Sequence, residues 1–134
     1  MSLFIKYNFA TRISLIGGFN LEFLDKKSIP SPYCVFEVKG WKKVFSSAID
    51  NTVNPIWKEE FIVYHEDPEK YPINIKVMSK VLIGMDKFIG QRDITKQDLM
   101  KEDEIFIELM TEPKKGELPK ATKGQLQISL LHRV

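Results

Sequence analysis

Few residues in this chain have the right chemistry for catalysis, and none is placed beside a partner. The histidines, His65 and His132, fall in a polar stretch and at the C-terminus, and Cys34 falls on the inward face of a strand. Catalysis needs a nucleophile beside a base, or a set of metal ligands. His65-Glu66-Asp67 offers ligand atoms, but an acidic loop of this kind is ordinarily just solvated. There is no Gly-x-x-x-x-Gly-Lys pattern to cradle a phosphate. The chain reads as a binding module with no cofactor, and not as an enzyme.

What the sequence does offer is surface chemistry. The stretch from Ser79 to Gly90 puts Val81, Leu82, Ile83 and Met85 on a loop between Lys80 and Lys87, flanked by strand-like runs. Loop tips are normally polar, and apolar side chains left on them mark contact sites. Across residues 25–31 and 79–87, Lys26, Lys27, Lys80 and Lys87 stand against Asp25 and Asp86, so the charge is 4 minus 2, or +2. Each lysine near an anionic leaflet contributes roughly 1 kcal/mol. Each apolar side chain fully buried in lipid adds roughly 1.5 to 3 kcal/mol. Ile29, in the companion loop, is a second wedge. Two alternatives stay open: the same loops form a protein–protein interface, or the apolar side chains fold back onto the edge of the domain.

With 134 residues the chain reads as one domain, 1–134, with its core over about 11–131. A formal net charge of +2 is too small to mark a nucleic-acid partner. Cys34 is the only cysteine, which excludes an internal disulfide and fits a reducing compartment. No apolar run reaches membrane-spanning length and no secretory leader is legible, so the expected location is cytoplasmic and peripheral to a membrane.

Period-two alternation sets the elements that carry these loops. Ile13 and Leu15 lie in one strand, and Gly17-Gly18 signals a bulge or a close backbone approach. Further strands are expected over 33–38, 41–49, 57–63, 72–78, 88–94, 105–109 and 124–131. Thr95 with Asp98 resembles a capping box for a turn or two of helix through Met100. Ser2 to Phe9 also alternates and reads as an extra edge strand or an extension of the first. Eight short strands joined by turn signals, with almost no helix, predict an all-β, antiparallel sandwich.

These pieces resemble the C2 domain, a phospholipid-binding, eight-stranded Greek-key sandwich. The likeness rests on Asn20-Leu21, on Ser31-Pro32-Tyr33 where the family usually has Asp-Pro-Tyr, on Asn54-Pro55-Ile56-Trp57-Lys58-Glu59-Glu60-Phe61, and on Phe88-Ile89-Gly90. The C-terminal run Gly124-x-Leu126-x-Ile128-x-Leu130 looks like the circularly permuted, second topology of that family. The Ser-Pro-Tyr variant is similar to some HECT-type ubiquitin ligases.

In calcium-binding members of the family, five aspartates from two loops converge on the ions. Carried over by position, one is retained as Asp25 and the others fall on Ser31, Ser79, Val81 and Lys87. Calcium takes about six to eight oxygen ligands, so the resemblance implies a degenerate calcium site and a calcium-independent domain. A weak calcium-dependent lipid binder is the lesser alternative. Lys87 is expected to lie against Asp25 in place of the ion, or else to face water. The family also binds phosphoinositide headgroups on a lysine-bearing concave face, which implies a role for Tyr33, Lys39, Trp41, Lys42 and Lys43. Trp57 reads as core; a solvated lysine face is the alternative reading of the concave set, and the lysines at 114, 115, 120 and 123 stay open between the same two readings. The function implied is calcium-independent docking to an anionic phospholipid membrane.

Overall fold

The structure is a computed structural model that describes residues 9–23, 28–38, 43–65, 70–101, 104–113 and 115–133. Its elements are β1 (Phe9–Phe19), β2 (Pro32–Glu37), β3 (Val44–Phe45), β4 (Ile56–His65), β5 (Ile73–Ser79), β6 (Lys87–Ile94), α1 (Lys96–Met100), β7 (Glu104–Met110) and β8 (Ala121–Arg133). The strands pair antiparallel in the order β3-β2-β5-β6-β7-β8-β1-β4. The ladder is thin at one point, where β6 and β7 share the single pair Gln91 and Met110. There the ribbon turns back on itself. Two four-stranded layers, β3-β2-β5-β6 and β7-β8-β1-β4, face one another.

The apolar alternation dictates this folding. Cys34 and Phe36 of β2, Ile73, Ile75 and Val77 of β5, and Ile89 of β6 are buried from one layer. Ile107 and Leu109 of β7, Leu126, Ile128 and Leu130 of β8, and Ile13 and Leu15 of β1 are buried from the other. Phe36 and Phe61, from strands near opposite ends of the ladder, meet in the middle with ring centroids 4.9 Å apart. Each aliphatic side chain buried this way contributes roughly 1.5 to 3 kcal/mol.

Several sequence expectations hold in detail. Thr95 caps α1: its hydroxyl accepts from the Asp98 amide at 3.1 Å, and the Asp98 carboxylate accepts from the Thr95 amide at 2.9 Å. The register of β1 shifts between Leu15 and Gly17, where Ile16 is the extra residue opposite β8. The Asn-Pro pair acts through its polar atoms, because the Asn54 side chain accepts from the Asn20 amide at 3.0 Å and the Pro55 carbonyl accepts from the Gly18 amide at 2.9 Å.

Two expectations need correction. The third strand is shorter than 41–49, because Ser46 leaves the ladder. Its hydroxyl accepts from the Cys34 amide at 2.8 Å, where a strand would place a carbonyl. Residues 46–49 still follow β2, through Ser46 N–H to Cys34 O at 2.9 Å and Ile49 N–H to Pro32 O at 3.0 Å. His65 is not in a loop; it ends β4, fully buried, with Nε2 2.8 Å from the Thr11 hydroxyl. The reading of residues 2–8 as a strand lies outside the described residues.

Phe36→Ala removes a fully buried ring and its contact with Phe61 across the layers. It is expected to cost about 3 to 5 kcal/mol, read as a lower denaturant midpoint with little change in slope.

Candidate functional site

β1 and β5 run toward the end of the sandwich from which β2 and β6 start back, so residues 28–31 and 80–86 emerge together. The pairing of Pro32 with Ser79 fixes them side by side. Ser31 and Ser79 then stitch them together. The Ser31 amide donates to Ser79 Oγ at 3.0 Å, and the Lys80 amide donates to the Ser31 carbonyl at 3.0 Å. The Ser31 hydroxyl accepts from the Asn51 amide at 3.1 Å, and the Thr52 amide donates to the Pro30 carbonyl at 2.9 Å, which ties in a third loop. Both serines of the degenerate calcium set therefore hold loop backbone.

Asp86 closes the apolar loop on itself. Its Oδ2 accepts from the Tyr33 hydroxyl at 2.6 Å and its Oδ1 from the Val81 amide at 3.1 Å. The Tyr33 hydrogen bond, followed by that of Val81, holds the Asp86 carboxyl below its ordinary value of 3.8, and nearby Lys80 acts in the same direction. Burial first, then the bond to Asp86 and its charge, push the Tyr33 phenol from 10.0 up to about 12.

On this clamped base the loop presents its apolar side chains to water. Leu82 is 103 % exposed, Ile83 92 % and Met85 90 %, and Ile29 in the neighbouring loop is 63 % exposed. Gly84 permits the tip with φ of +95°, a region that L side chains rarely adopt. Val81, grouped with the tip in the sequence, is instead half-buried. Lys80 and Lys87 flank the loop, both exposed. The Lys87 ammonium sits 5.5 Å from the centre of the Phe23 ring. Asp25, Lys26 and Lys27 lie outside the described residues, and the contact between Lys87 and Asp25 with them.

The concave face shows only part of its expected set. Lys43 pairs with Glu37 at 3.8 Å across partly exposed side chains, and the Tyr33 hydroxyl is committed to Asp86. Lys39, Trp41 and Lys42 lie outside the described residues. Trp57 is core, with its indole N–H donating to the Ser47 carbonyl at 2.8 Å. Cys34 is fully buried, and burial, with Glu59 nearby, pushes its thiol well up. Among the described residues no three His, Cys, Asp or Glu side chains gather as a metal site. Sequence reading missed Phe45, which stands outward, 57 % exposed, at a cleft of about 340 Å³ beside Lys80 and Asp86. The signal was present in Val44-Phe45, where alternation turns Val44 inward and Phe45 out.

A family model described as the C2 domain matches residues 10–109. The chain belongs to the C2 domain family. This C2 domain is 36% identical over 103 residues to a multiple C2 and transmembrane domain-containing protein of Drosophila melanogaster, covering 75% of this chain and 11% of that protein. It is 28% identical over 95 residues to tricalbin-1 of Saccharomyces cerevisiae, covering 71% of this chain and 8% of the relative. The chain thus spans about a tenth of the length of such curated relatives. In three dimensions it superposes on a C2 domain of plant extended synaptotagmin 1 with a TM-score of 0.73 at 15% identity, over 96% of each chain, which shows the fold.

The clamp gives this C2 domain a pH signature. The folded pKa of Tyr33 lies above its ordinary 10.0, so its contribution to stability is complete below pH 10 and lost as pH rises toward 12. The folded pKa of Asp86 lies below its ordinary 3.8, so its contribution is present above that value and lost as pH falls through the depressed one. Tyrosinate absorbance, taken as the difference from Tyr33→Phe, is expected to show one phenol titrating near 12. In Asp86→Asn that titration moves back toward 10, and the alkaline loss of stability, which begins near pH 10 in both proteins, becomes smaller.

Proposed function

We propose that this C2 domain docks peripherally on anionic phospholipid membranes without calcium, by inserting the tip of the β5–β6 loop, and that it acts as a binding module rather than an enzyme. The observation that carries this reading is the exposure of Leu82, Ile83 and Met85 on a loop whose base is fixed by Asp86, Tyr33 and Ser79. A fixed base lowers the ordering cost of binding. Two inserted side chains with Lys80 and Lys87 amount to about 5 to 8 kcal/mol before immobilisation costs. That corresponds to affinities from submillimolar to micromolar. Such binding is reversible, and it suits a domain that works beside other membrane contacts. The name of the Drosophila relative, which joins C2 with transmembrane domains, supports a setting at a membrane.

The calcium-independent part of the reading rests on what Ser31, Ser79 and Lys87 do. The serine hydroxyls are engaged with loop amides, and a lysine stands where the family has an acid. Phosphoinositides on the concave face are a further candidate lipid through Lys43 and its neighbours.

Vesicles containing phosphatidylserine are expected to sediment the domain equally with calcium and with a chelator. Leu82→Asp with Ile83→Asp is expected to weaken binding at least about ten-fold, from the loss of one or more inserted side chains. The melting temperature stays unchanged, because both side chains stand in solvent. Binding only with calcium, or wild-type binding by the double variant, refutes the proposal. No sedimentation with any lipid assigns the loop to a protein partner instead.

A further inference from the structure

Ser28 stands exposed beside the apolar tip, one residue before the exposed Ile29. The other hydroxyl groups around it are committed. Ser31 Oγ accepts from the Asn51 amide, Ser79 Oγ from the Ser31 amide and Thr52 Oγ1 from the Asn54 amide, while the Tyr33 hydroxyl donates to Asp86. Among the described residues nothing bonds the Ser28 hydroxyl. The chain beyond it is anchored at Pro30, which is buried and whose carbonyl accepts from the Thr52 amide at 2.9 Å. A proline also holds the residue before it, here Ile29, to extended backbone. In the sequence Ser28 follows Lys26-Lys27. A free hydroxyl on an extended segment, with basic residues before it and an aliphatic one after, has the charge pattern that an acidic substrate groove selects.

We infer that Ser28 is a phosphorylation site for a serine kinase that selects basic residues ahead of its acceptor, and that the phosphate releases the domain from anionic membranes. In the transfer, the Ser28 hydroxyl oxygen bonds to the γ-phosphorus of ATP as the bond from that phosphorus to the β,γ-bridging oxygen breaks. ADP leaves, and the hydroxyl proton passes to the catalytic carboxylate of the kinase. Phosphoserine carries about −1.5 to −2 at neutral pH. Residues 25–31 and 79–87 set four lysines against two aspartates, or +2, so the modified end is close to neutral. The release rests on the docking reading, because the attraction lost is the one between these lysines and the leaflet. With Ile29 in the bilayer, Ser28 lies among headgroups and out of a kinase's reach. The kinase therefore meets the free domain, and the phosphate keeps it from rebinding.

The whole domain with phosphoserine installed biosynthetically at position 28 is compared with the unmodified domain on phosphatidylserine vesicles in a calcium chelator. At about five-fold for each unit of charge, binding is expected to weaken about ten- to thirty-fold. The melting temperature stays unchanged, because Ser28 stands in solvent. Ser28→Asp, with one charge, is expected to weaken binding about five-fold, and Ser28→Ala binds as the unmodified domain does. Raised salt narrows these gaps. Separately, purified basic-directed serine kinases with ATP and no lipid are expected to label the domain at Ser28, mapped by mass spectrometry, and Ser28→Ala to lose that label. If the unmodified domain sediments and phosphoserine at 28 leaves binding within about two-fold, less than half a unit of charge, the release is overturned. Label that goes only elsewhere overturns the acceptor. In both cases docking by Leu82 and Ile83 stands. Failure of the unmodified domain to sediment sinks the docking reading, and the release with it, while labelling of Ser28 is read independently of any lipid.

Discussion

The close approach of β6 to β7 is the constraint on which the rest of the fold depends. A Cβ on Gly90 would stand 2.8 Å from Leu109 Cβ, a distance side chains do not tolerate. The absence of that carbon lets Ile89 and Leu109 share the core while the adjacent residues, Gln91 and Met110, form the one ladder pair between the layers among the described residues. Each layer has one wet face, and its other face finds cover only because the ribbon doubles back here. The Phe-Ile-Gly motif is therefore a statement about layer spacing. β5 and β6 project their connecting loop from the fold held by that crossing.

Much of this arrangement was legible in the sequence, for a simple reason. A strand buried on one face writes its orientation into every second residue, so Ile73, Ile75 and Val77, or Leu126, Ile128 and Leu130, could be placed without coordinates. The capping box at Thr95 was equally local, since both its hydrogen bonds close within three residues. The exposed tip also followed from pattern, as apolar residues broke the polar rule of loops.

What pattern could not reach were the groups whose partners lie far along the chain. Asp86 reads as one acid among lysines until Tyr33, 53 residues away, donates to it. Ser31 and Ser79 read as losses when counted against calcium ligands, yet each commits its hydroxyl to a loop amide. The shortening of β3 turns on the Ser46 side chain standing in for backbone. Val81 differs from Leu82 by one position only, and its amide's bond to Asp86 decides that it lies half inside. His65 looked solvated beside Glu66 and Asp67, but its strand phase carries it to Thr11 in the interior.

β4 ends the ladder, with β1 along one side and, among the described residues, no strand beyond it. Such a margin is a template for another chain, and long flat edges are where β proteins polymerise. Here the margin is spoiled near its start. Pro55 has no N–H to offer, and Lys58 holds φ of +52°, a left-handed kink that a flat ladder does not accommodate, with its side chain out in solvent. An incoming strand meets a twist and a positive charge where it needs a straight row of amides. A domain that carries naked leucine and isoleucine at its tip thus has, at the start of β4, a margin guarded against fibril growth.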